Sequence, residues 1–223
     1  MALLSKKETA EVMDKLSERY PDAKCALNHS NPFELLIATM LSAQCTDVRV
    51  NIVTERLFQK YRGPEDFAAA TAEEVQEDIR EVGLFRSKAQ NIVATCRILM
   101  EQYGGEVPAD RDKLVKLPGV GRKTANVVLS NAFGIPALAV DTHVLRVSNR
   151  IGLAKSESPD DTERQICRRV PKTLWSQAHH WLIHHGRQIC AARKPKCDAC
   201  PLQEHCQYFR KTTGRDGRAV KTS

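Results

Sequence analysis

Four cysteines lie within 17 residues near the carboxyl end of this 223-residue chain, in the spacing C-x6-C-x2-C-x5-C. They are Cys190, Cys197, Cys200 and Cys206. A segment this short must coil tightly to bring four thiols together. In a chain for which we expect no secretion signal, clustered cysteines indicate a metal site rather than disulfides. Four thiolates can hold one zinc ion or an iron–sulfur cluster, and the spacing alone leaves both metals open.

Helical periodicity covers most of the chain, and no alternating run is long enough to require a strand. The predicted fold class is therefore all-α. One helical pattern begins at Pro32, and others cover about residues 7–19, 46–60, 72–82, 86–103, 110–116, 122–133, 142–152, 160–170 and 173–188. Gly63-Pro64 is predicted to be a turn between helices. The four cysteines outside the cluster are scattered along the chain and are expected to be small hydrophobes without a site role: Cys25, Cys45, Cys96 and Cys167.

Composition excludes several classes of protein. With 42% hydrophobic and 27% charged residues, the chain is neither collagen-like nor a low-complexity disordered sequence. No run of about 18 apolar residues predicts a membrane span, and the charged start predicts no export signal. Residues 164–223 hold 13 Lys and Arg against 3 Asp and Glu, whereas residues 1–163 hold 21 against 24. This basic quarter indicates a polyanionic partner, although the tail from Lys211 is expected to be loose.

The stretch Leu117–Val128 reads LPGVGRKTANVV. It predicts a helix that ends before Pro118, a tight turn, and a second helix that opens near Arg122. Glycines at positions 119 and 121 let backbone N–H groups approach an anion closely, and the start of the second helix adds partial positive charge. An ordinary turn between helices is the alternative interpretation.

Lys123 and Asp141 are the candidate reactive residues. Lys123 falls in the first turn of the second helix, where the dipole disfavours a cation and makes the neutral, nucleophilic amine easier to reach. A lysine that only binds phosphate is the alternative. Asp141 ends the apolar stretch 137–140 and opens another helix, which predicts an N-cap. A carboxylate fixed there could also stabilise positive charge on a reacting sugar.

These motifs, in this order and separation, resemble the endonuclease III family of helix-hairpin-helix DNA glycosylases over about residues 5–209. The resemblance implies a two-lobed all-α fold. One lobe would be a six-helix unit of residues 25–134 with the helix-hairpin-helix at about 110–133, and the other an iron–sulfur lobe of residues 1–24 and 135–223. It also implies that Lys123 is a Schiff-base nucleophile, that Asp141 is the catalytic carboxylate, and that the four clustered cysteines bind a [4Fe-4S] cluster.

Two more segments match the family. Gln44, in LSAQCTD, corresponds to the glutamine that fills the space left by an extruded base, and Leu84, in VGL, to the leucine that wedges the opposite strand. Phe85-Arg86 departs from the Tyr-Asn pair of the best-known bacterial members. The residues expected to contact DNA are Gln44, Leu84, Gly119, Val120, Gly121, His143, Arg193, Lys194 and Lys196.

His180 and His184 lie one helical turn apart, which also suggests a metal. No third ligand accompanies them at a suitable spacing. We expect this helix to pack its tryptophan and to present the imidazoles to solvent or phosphate.

The resemblance implies a bifunctional DNA glycosylase and abasic-site lyase of base excision repair. It would remove oxidised or ring-saturated pyrimidines from double-stranded DNA and nick the strand 3′ to the abasic site. We expect a monomer that works in the cytoplasm on nucleoid DNA, without a membrane partner. One alternative is an adenine-mismatch glycosylase, although such enzymes typically lack a lysine at position 123 and carry an extra domain. Another is a non-catalytic, metal-containing DNA-binding protein.

Overall fold

The computed structural model describes residues 3–214, and this part of the chain contains helices joined by turns and extended segments, with no strand. The predicted all-α fold class is confirmed. None of the helices described combines the length and the apolar character needed to cross a bilayer. The helices are α1 Lys6–Arg19, α2 Pro32–Leu41, α3 Asp47–Lys60, α4 Pro64–Ala69, α5 Ala72–Asp78, α6 Phe85–Tyr103, α7 Arg111–Leu114, α8 Arg122–Ala132, α9 Thr142–Ile151, α10 Pro159–Cys167, α11 Trp175–Gln188 and α12 Gln207–Thr212.

Two short helices lie where the sequence predicted none. Pro64 begins α4 rather than marking a simple turn, because proline suits the first helical position, and the helix buries Phe67 completely. Helix α12 includes Lys211, whereas the sequence predicted a loose tail from that residue onward. The remainder of that tail, residues 215–223, lies outside the described residues.

The backbone forms two compact units. The central unit is Cys25–Ile135, and the terminal unit combines the residues up to Lys24 with those from Pro136 onward. In the central unit, α2 packs against α3, α6 and α8. Every residue of α2 from Leu35 to Leu41 is buried, as expected for a helix that is apolar on all sides. Helix α6 packs against α2, α4 and α5, which are half of the other helices of the central unit.

The core of the terminal unit is formed by α1, α9, α10, α11 and the extended segment 137–140. Helices α9 and α11 approach closely at Gly186, where an added Cβ would lie 3.0 Å from the Cβ of His143 and 3.1 Å from a methyl carbon of Val147. Only glycine fits such a contact without movement of α9.

The histidines of α11 differ from the expectation. His179, His180 and His185 are buried rather than presented to solvent. His179 Nδ1 lies 2.7 Å from the Ala139 carbonyl, and His185 Nδ1 lies 3.1 Å from the Tyr20 hydroxyl. Burial, followed by the neighbouring histidines, lowers the pKa of His180 to about 3. Burial also lowers the pKa of His185, to about 4, so His180 and His185 are neutral at physiological pH.

Candidate functional site

The hairpin between α7 and α8 is a tight turn closed by a hydrogen bond of 3.1 Å from the Val120 N–H to the Leu117 carbonyl. Pro118 and Gly119 occupy its central positions, and the φ of Gly119 is +74°. This is the residue order that a type II turn requires. Two residues of α6 support it: the Thr95 hydroxyl donates to the Pro118 carbonyl at 2.9 Å, and Asn91 packs under Gly119.

Helix α8 begins without a side-chain cap. Its N-cap is Gly121, which has no side chain to accept from the first-turn N–H groups, and in the described part of the chain nothing beyond its sequence neighbours lies within 4 Å of the position of an added Cβ. The start of α8 therefore combines open space, first-turn amides without a side-chain cap and the positive end of the helix dipole. This is the arrangement needed to bind an anion.

Lys123 is exposed at the second position of α8. Among residues 3–214, no carboxylate forms a salt bridge with it. Burial raises the pKa of the nearby Cys25 thiol, and the charge of Lys123 opposes that rise. No signal in the sequence predicts that Cys25 lies near this amine. The lysine is thus an accessible amine close to the hairpin.

Asp141 is half-buried and caps α9, as predicted. Its Oδ1 accepts from the Val144 N–H at 2.8 Å. The preceding residues 137–140 are all buried, and the bond between His179 and Ala139 fixes them to α11. The carboxylate therefore has a defined orientation, with one oxygen used in the cap. Among the described residues, no donor is bonded to Oδ2.

Gln44 and Leu84 share an unusual backbone. Both are exposed, and both have a left-handed conformation, with φ of 54° and 60°. Non-glycine residues in this region cost about 1–3 kcal/mol each and cluster at functional sites. The turn before Leu84 is fixed to α3, because the Glu81 carboxylate pairs with Arg49 at 2.7 Å and also with Arg56. Two side chains predicted to enter DNA thus stand on a strained but anchored backbone within the central unit.

The four clustered cysteines line one cavity in the terminal unit. Its empty volume is about 350 Å³, including space open to solvent, and its other walls are mainly apolar, among them Ile151, Leu202 and Phe209. Burial raises the pKa of the Cys200 thiol to about 11. Buried thiolates at neutral pH therefore require a compensating cation, as a metal centre would supply.

The four thiols can be compared with the donor sets of the two candidate metals. Zinc would require four sulfurs at about 2.3 Å from a common centre. In an iron–sulfur cluster each thiolate binds its own iron, so the sulfurs lie around a wider core. Four cysteines around an apolar cavity fit that donor set.

Helix α9 contacts the cysteine segment through two arginines that the sequence analysis did not single out. Arg146 Nε donates to the Cys190 carbonyl at 3.1 Å, and Arg150 Nη1 donates to the Ala191 carbonyl at 2.7 Å. Arg146 also lies 3.1 Å from Nδ1 of His143. The helix that Asp141 caps is therefore fixed to the cysteine segment. Between the first two cysteines, three predicted DNA contacts are exposed: Arg193, Lys194 and Lys196.

Comparison with known proteins identifies the family. Residues 37–172 match the model described as HhH-GPD superfamily base excision DNA repair protein, and residues 190–206 match the iron-sulfur binding domain of endonuclease III. Endonuclease III of Bacillus subtilis is 54% identical over 210 residues, covering 94% of this chain and 96% of that protein. Endonuclease III of Escherichia coli K12 is 48% identical, covering 93% and 99%. The chain belongs to the endonuclease III family.

Solved structures agree with this assignment. A trapped endonuclease III–DNA covalent intermediate has a TM-score of 0.91 and 52% identity, covering 95% of this chain and all of that one. A thermostable thymine-DNA glycosylase has a TM-score of 0.83 and 27% identity, covering 92% and 98%. The predicted enzyme class and cofactor are confirmed: the chain is a bifunctional DNA glycosylase and lyase of base excision repair that carries a [4Fe-4S] cluster.

The two hairpin glycines are expected to have separable roles. An added Cβ at Gly119 would lie 2.9 Å from the Asn91 Cβ and would also strain the backbone. Gly119→Ala should therefore lower the free energy of unfolding by about 1–3 kcal/mol. Gly121→Ala should change it by less than about 1 kcal/mol, because its Cβ enters open space. The methyl group would nevertheless obstruct an approaching phosphate and weaken duplex DNA binding about three- to tenfold.

Denaturant unfolding and fluorescence anisotropy on one labelled duplex would measure both quantities. The assignment is wrong if Gly121→Ala binds DNA as the parent protein does. It is also wrong if the two substitutions destabilise the protein equally.

Proposed function

We propose that the enzyme removes oxidised or ring-saturated pyrimidines from duplex DNA, with Lys123 as nucleophile and Asp141 as the carboxylate that stabilises positive charge on the deoxyribose. The observation that supports this most is the position of Lys123. It is exposed, free of a carboxylate partner in the described chain, and set in the first turn of a helix whose uncapped start suits a DNA phosphate. The amine would therefore lie near the sugar of a nucleotide bound through its backbone.

The reaction begins with extrusion of the damaged nucleotide, because a base inside the stack cannot be reached. Lys123 Nζ bonds to C1′ as the bond from C1′ to the base breaks, and the base leaves with that electron pair and takes up a proton. Loss of a proton from nitrogen and opening of the sugar ring give a Schiff base. Removal of a C2′ proton then expels the 3′ phosphate by β-elimination. Water hydrolyses the remaining imine and releases Lys123.

Asp141 would act electrostatically. As the base departs, C1′ acquires oxocarbenium character, and a fixed carboxylate lowers the energy of that charge. The cap bond from Val144 uses only Oδ1, which leaves Oδ2 for this role. The cap therefore orients the carboxylate without consuming it.

The local geometry supports a set of proposed DNA contacts. The hairpin of Gly119, Val120 and Gly121 would lie against a phosphate and hold it through its glycine amides, since the Val120 N–H already closes the turn onto the Leu117 carbonyl. Gln44 would fill the vacated position in the stack, and Leu84 would wedge the opposite strand. His143 and the exposed basic residues 193, 194 and 196 would add contacts to the backbone.

We assign the cluster to Cys190, Cys197, Cys200 and Cys206 within the iron–sulfur lobe. When bound, the cluster would cross-link this segment and supply structure rather than redox chemistry, because the excision described above transfers no electrons. Arg193, Lys194 and Lys196 would then be presented by a rigid loop. A monomeric state and a cytoplasmic, nucleoid location stay predictions.

The role of Lys123 is testable by trapping. Borohydride should reduce the Schiff base to a stable covalent adduct between protein and damaged duplex, visible by denaturing electrophoresis. Lys123→Gln should abolish the adduct and the strand nick, because an amide cannot form an imine. Lys116→Gln removes an exposed positive charge before the hairpin and should keep the adduct. Undiminished trapping by Lys123→Gln would refute the assignment. No nicking by the parent protein would favour the non-catalytic alternative.

Asp141→Asn removes the negative charge of residue 141 and keeps its role as the N-cap of α9. Asparagine caps helices as well as aspartate does, so the variant should fold and bind DNA normally. Single-turnover excision should fall at least about a hundredfold, since the negative charge is lost. Asp110→Asn makes the same change at the N-cap of α7, where the side chain accepts from the Lys113 N–H at 2.9 Å, and should leave the rate unchanged. A normal rate for Asp141→Asn would contradict the electrostatic role.

The cluster assignment predicts metal content. The purified protein should be brown and hold four irons per chain, as a [4Fe-4S] cluster requires. Cys200→Ser should lose most of that iron, because a serine hydroxyl is a poor substitute for a thiolate. Cys167→Ser, in the same unit but outside the cavity, should retain it. Colourless protein with stoichiometric zinc would overturn the assignment of these four ligands.

A further inference from the structure

Lys88 is the one buried lysine or arginine in the described part of the chain, with 5% of its surface exposed. Its ammonium group donates to the Leu41 carbonyl at 2.7 Å and to the Ala43 carbonyl at 2.6 Å. Leu41 is the last residue of α2, and Ala43 directly precedes Gln44. The charge therefore lies at the carbonyl end of α2, on the loop that carries Gln44.

A buried ammonium group is costly unless its hydrogen bonds are made. Burial lowers the pKa of Lys88, which shows that the amine has lost much of its hydration. Hydrogen bonds to two carbonyls at the negative end of a helix offset part of the hydration free energy that the ammonium group has lost. An apolar side chain would fill this position without a desolvation cost, but it would leave both carbonyls without their donor. Compared with an apolar residue, a lysine at position 88 therefore fixes the position of the loop that carries Gln44.

Lys88 also connects this loop to the wedge residue. Its backbone N–H donates to the Leu84 carbonyl at 3.1 Å, so one residue bonds to both segments. The segments touch directly as well, since an added Cβ at Gly83 would lie 3.1 Å from the Gln44 carbonyl. Gln44 and Leu84, which are both exposed and both have a left-handed backbone, are therefore parts of one assembly built on the start of α6.

We propose that Lys88 is a positioning residue that holds Gln44 and Leu84 as a rigid pair for insertion into duplex DNA. This inference rests on the function proposed above. An unsupported loop with unfavourable backbone geometry would relax to other conformations, and each would have to be reversed before Gln44 could enter the stack. If the loop is already ordered before DNA binds, the free energy of ordering it is not added to the barrier of the extrusion step. Lys88 acts through the loop and does not touch the reacting atoms.

Lys88→Met tests this role, because methionine keeps a similar length and removes the donor. Single-turnover excision of a ring-saturated pyrimidine paired with a normal base should fall about tenfold or more. Borohydride trapping at a preformed abasic site should fall less than about threefold, because no base has to be unstacked. A merely structural role would lower both reactions together.

A double-mutant cycle tests whether Lys88 affects excision through Gln44. If Lys88 acts through Gln44, Gln44→Ala should slow excision strongly in the parent protein but by less than about twofold in the Lys88→Met background. Independent roles would instead give rate losses that multiply. Thermal melting of all four proteins would show that each is folded at the assay temperature.

Arg97→Met is the matched control. Arg97 lies on the same helix and also donates to two backbone carbonyls, those of Ala68 and Ala70, at 3.2 and 3.4 Å. Its loop is not part of the proposed insertion unit, so excision should stay within about twofold of the parent rate. If Lys88→Met proves unfolded, Lys88→Gln retains one donor group and can bond one of the two carbonyls. It should fold and show an intermediate loss of excision with the same sparing of abasic-site trapping.

The outcomes separate this proposal from the proposed function. If the parent protein neither excises the lesion nor forms an adduct, the proposed function fails. If the parent is active and folded Lys88 variants excise paired lesions at the parent rate, only the positioning role fails. Multiplying rate losses in the cycle, or equal losses at lesion and abasic site, would likewise overturn it.

Discussion

Side chains on one face of α6 hold main-chain groups of two segments outside the helix. Lys88 bonds to carbonyls of the loop after α2, and Thr95, about two turns later, bonds to the carbonyl of Pro118 in the hairpin. Between them, Asn91 packs under Gly119. Because α6 is continuous and packed against α2, α4 and α5, these loops share one rigid support. The hairpin and the loop that carries Gln44 are therefore held in a fixed relation within the central unit, as a preorganised binding site would require.

The terminal unit uses the same principle with different chemistry. Arginines of α9 bond to carbonyls of the cysteine segment, and the N-cap of that helix is Asp141. A segment rich in thiols, basic residues and turns would not order itself by apolar burial alone. Metal coordination and arginine bonds can supply that order, so a cluster without a redox step still has a physical purpose. In both units, side chains of regular helices fix the position of irregular backbone.

Much of this organisation was readable from the sequence. The periodicity of residues 32–41 and 86–103 gave α2 and most of α6, and the order Pro118, Gly119 gave the turn, because these signals are local. The N-cap at Asp141 was predicted for the same reason. Lys88 and the two arginines of α9 were missed, since their partners are backbone carbonyls distant in sequence. A lysine on the buried side of a helical pattern was the available signal for Lys88. The buried histidines of α11 were missed because polarity suggested a solvent face, whereas tertiary packing decided their environment.

Gln44 and Leu84 are two positions where local propensity rules fail. By propensity, a left-handed position calls for glycine, and glycine at either site would relieve strain of about 1–3 kcal/mol. The chain instead keeps an amide and a large apolar side chain there, although Leu84 is 55% exposed and gains little from burial. Neither residue is explained by the stability of the protein alone. Their conformations persist because Lys88, Glu81 and the close approach of Gly83 over-determine the surrounding backbone. These contacts thus offset the backbone strain at Gln44 and Leu84. The strained backbone keeps both side chains exposed, which a more relaxed loop would not do.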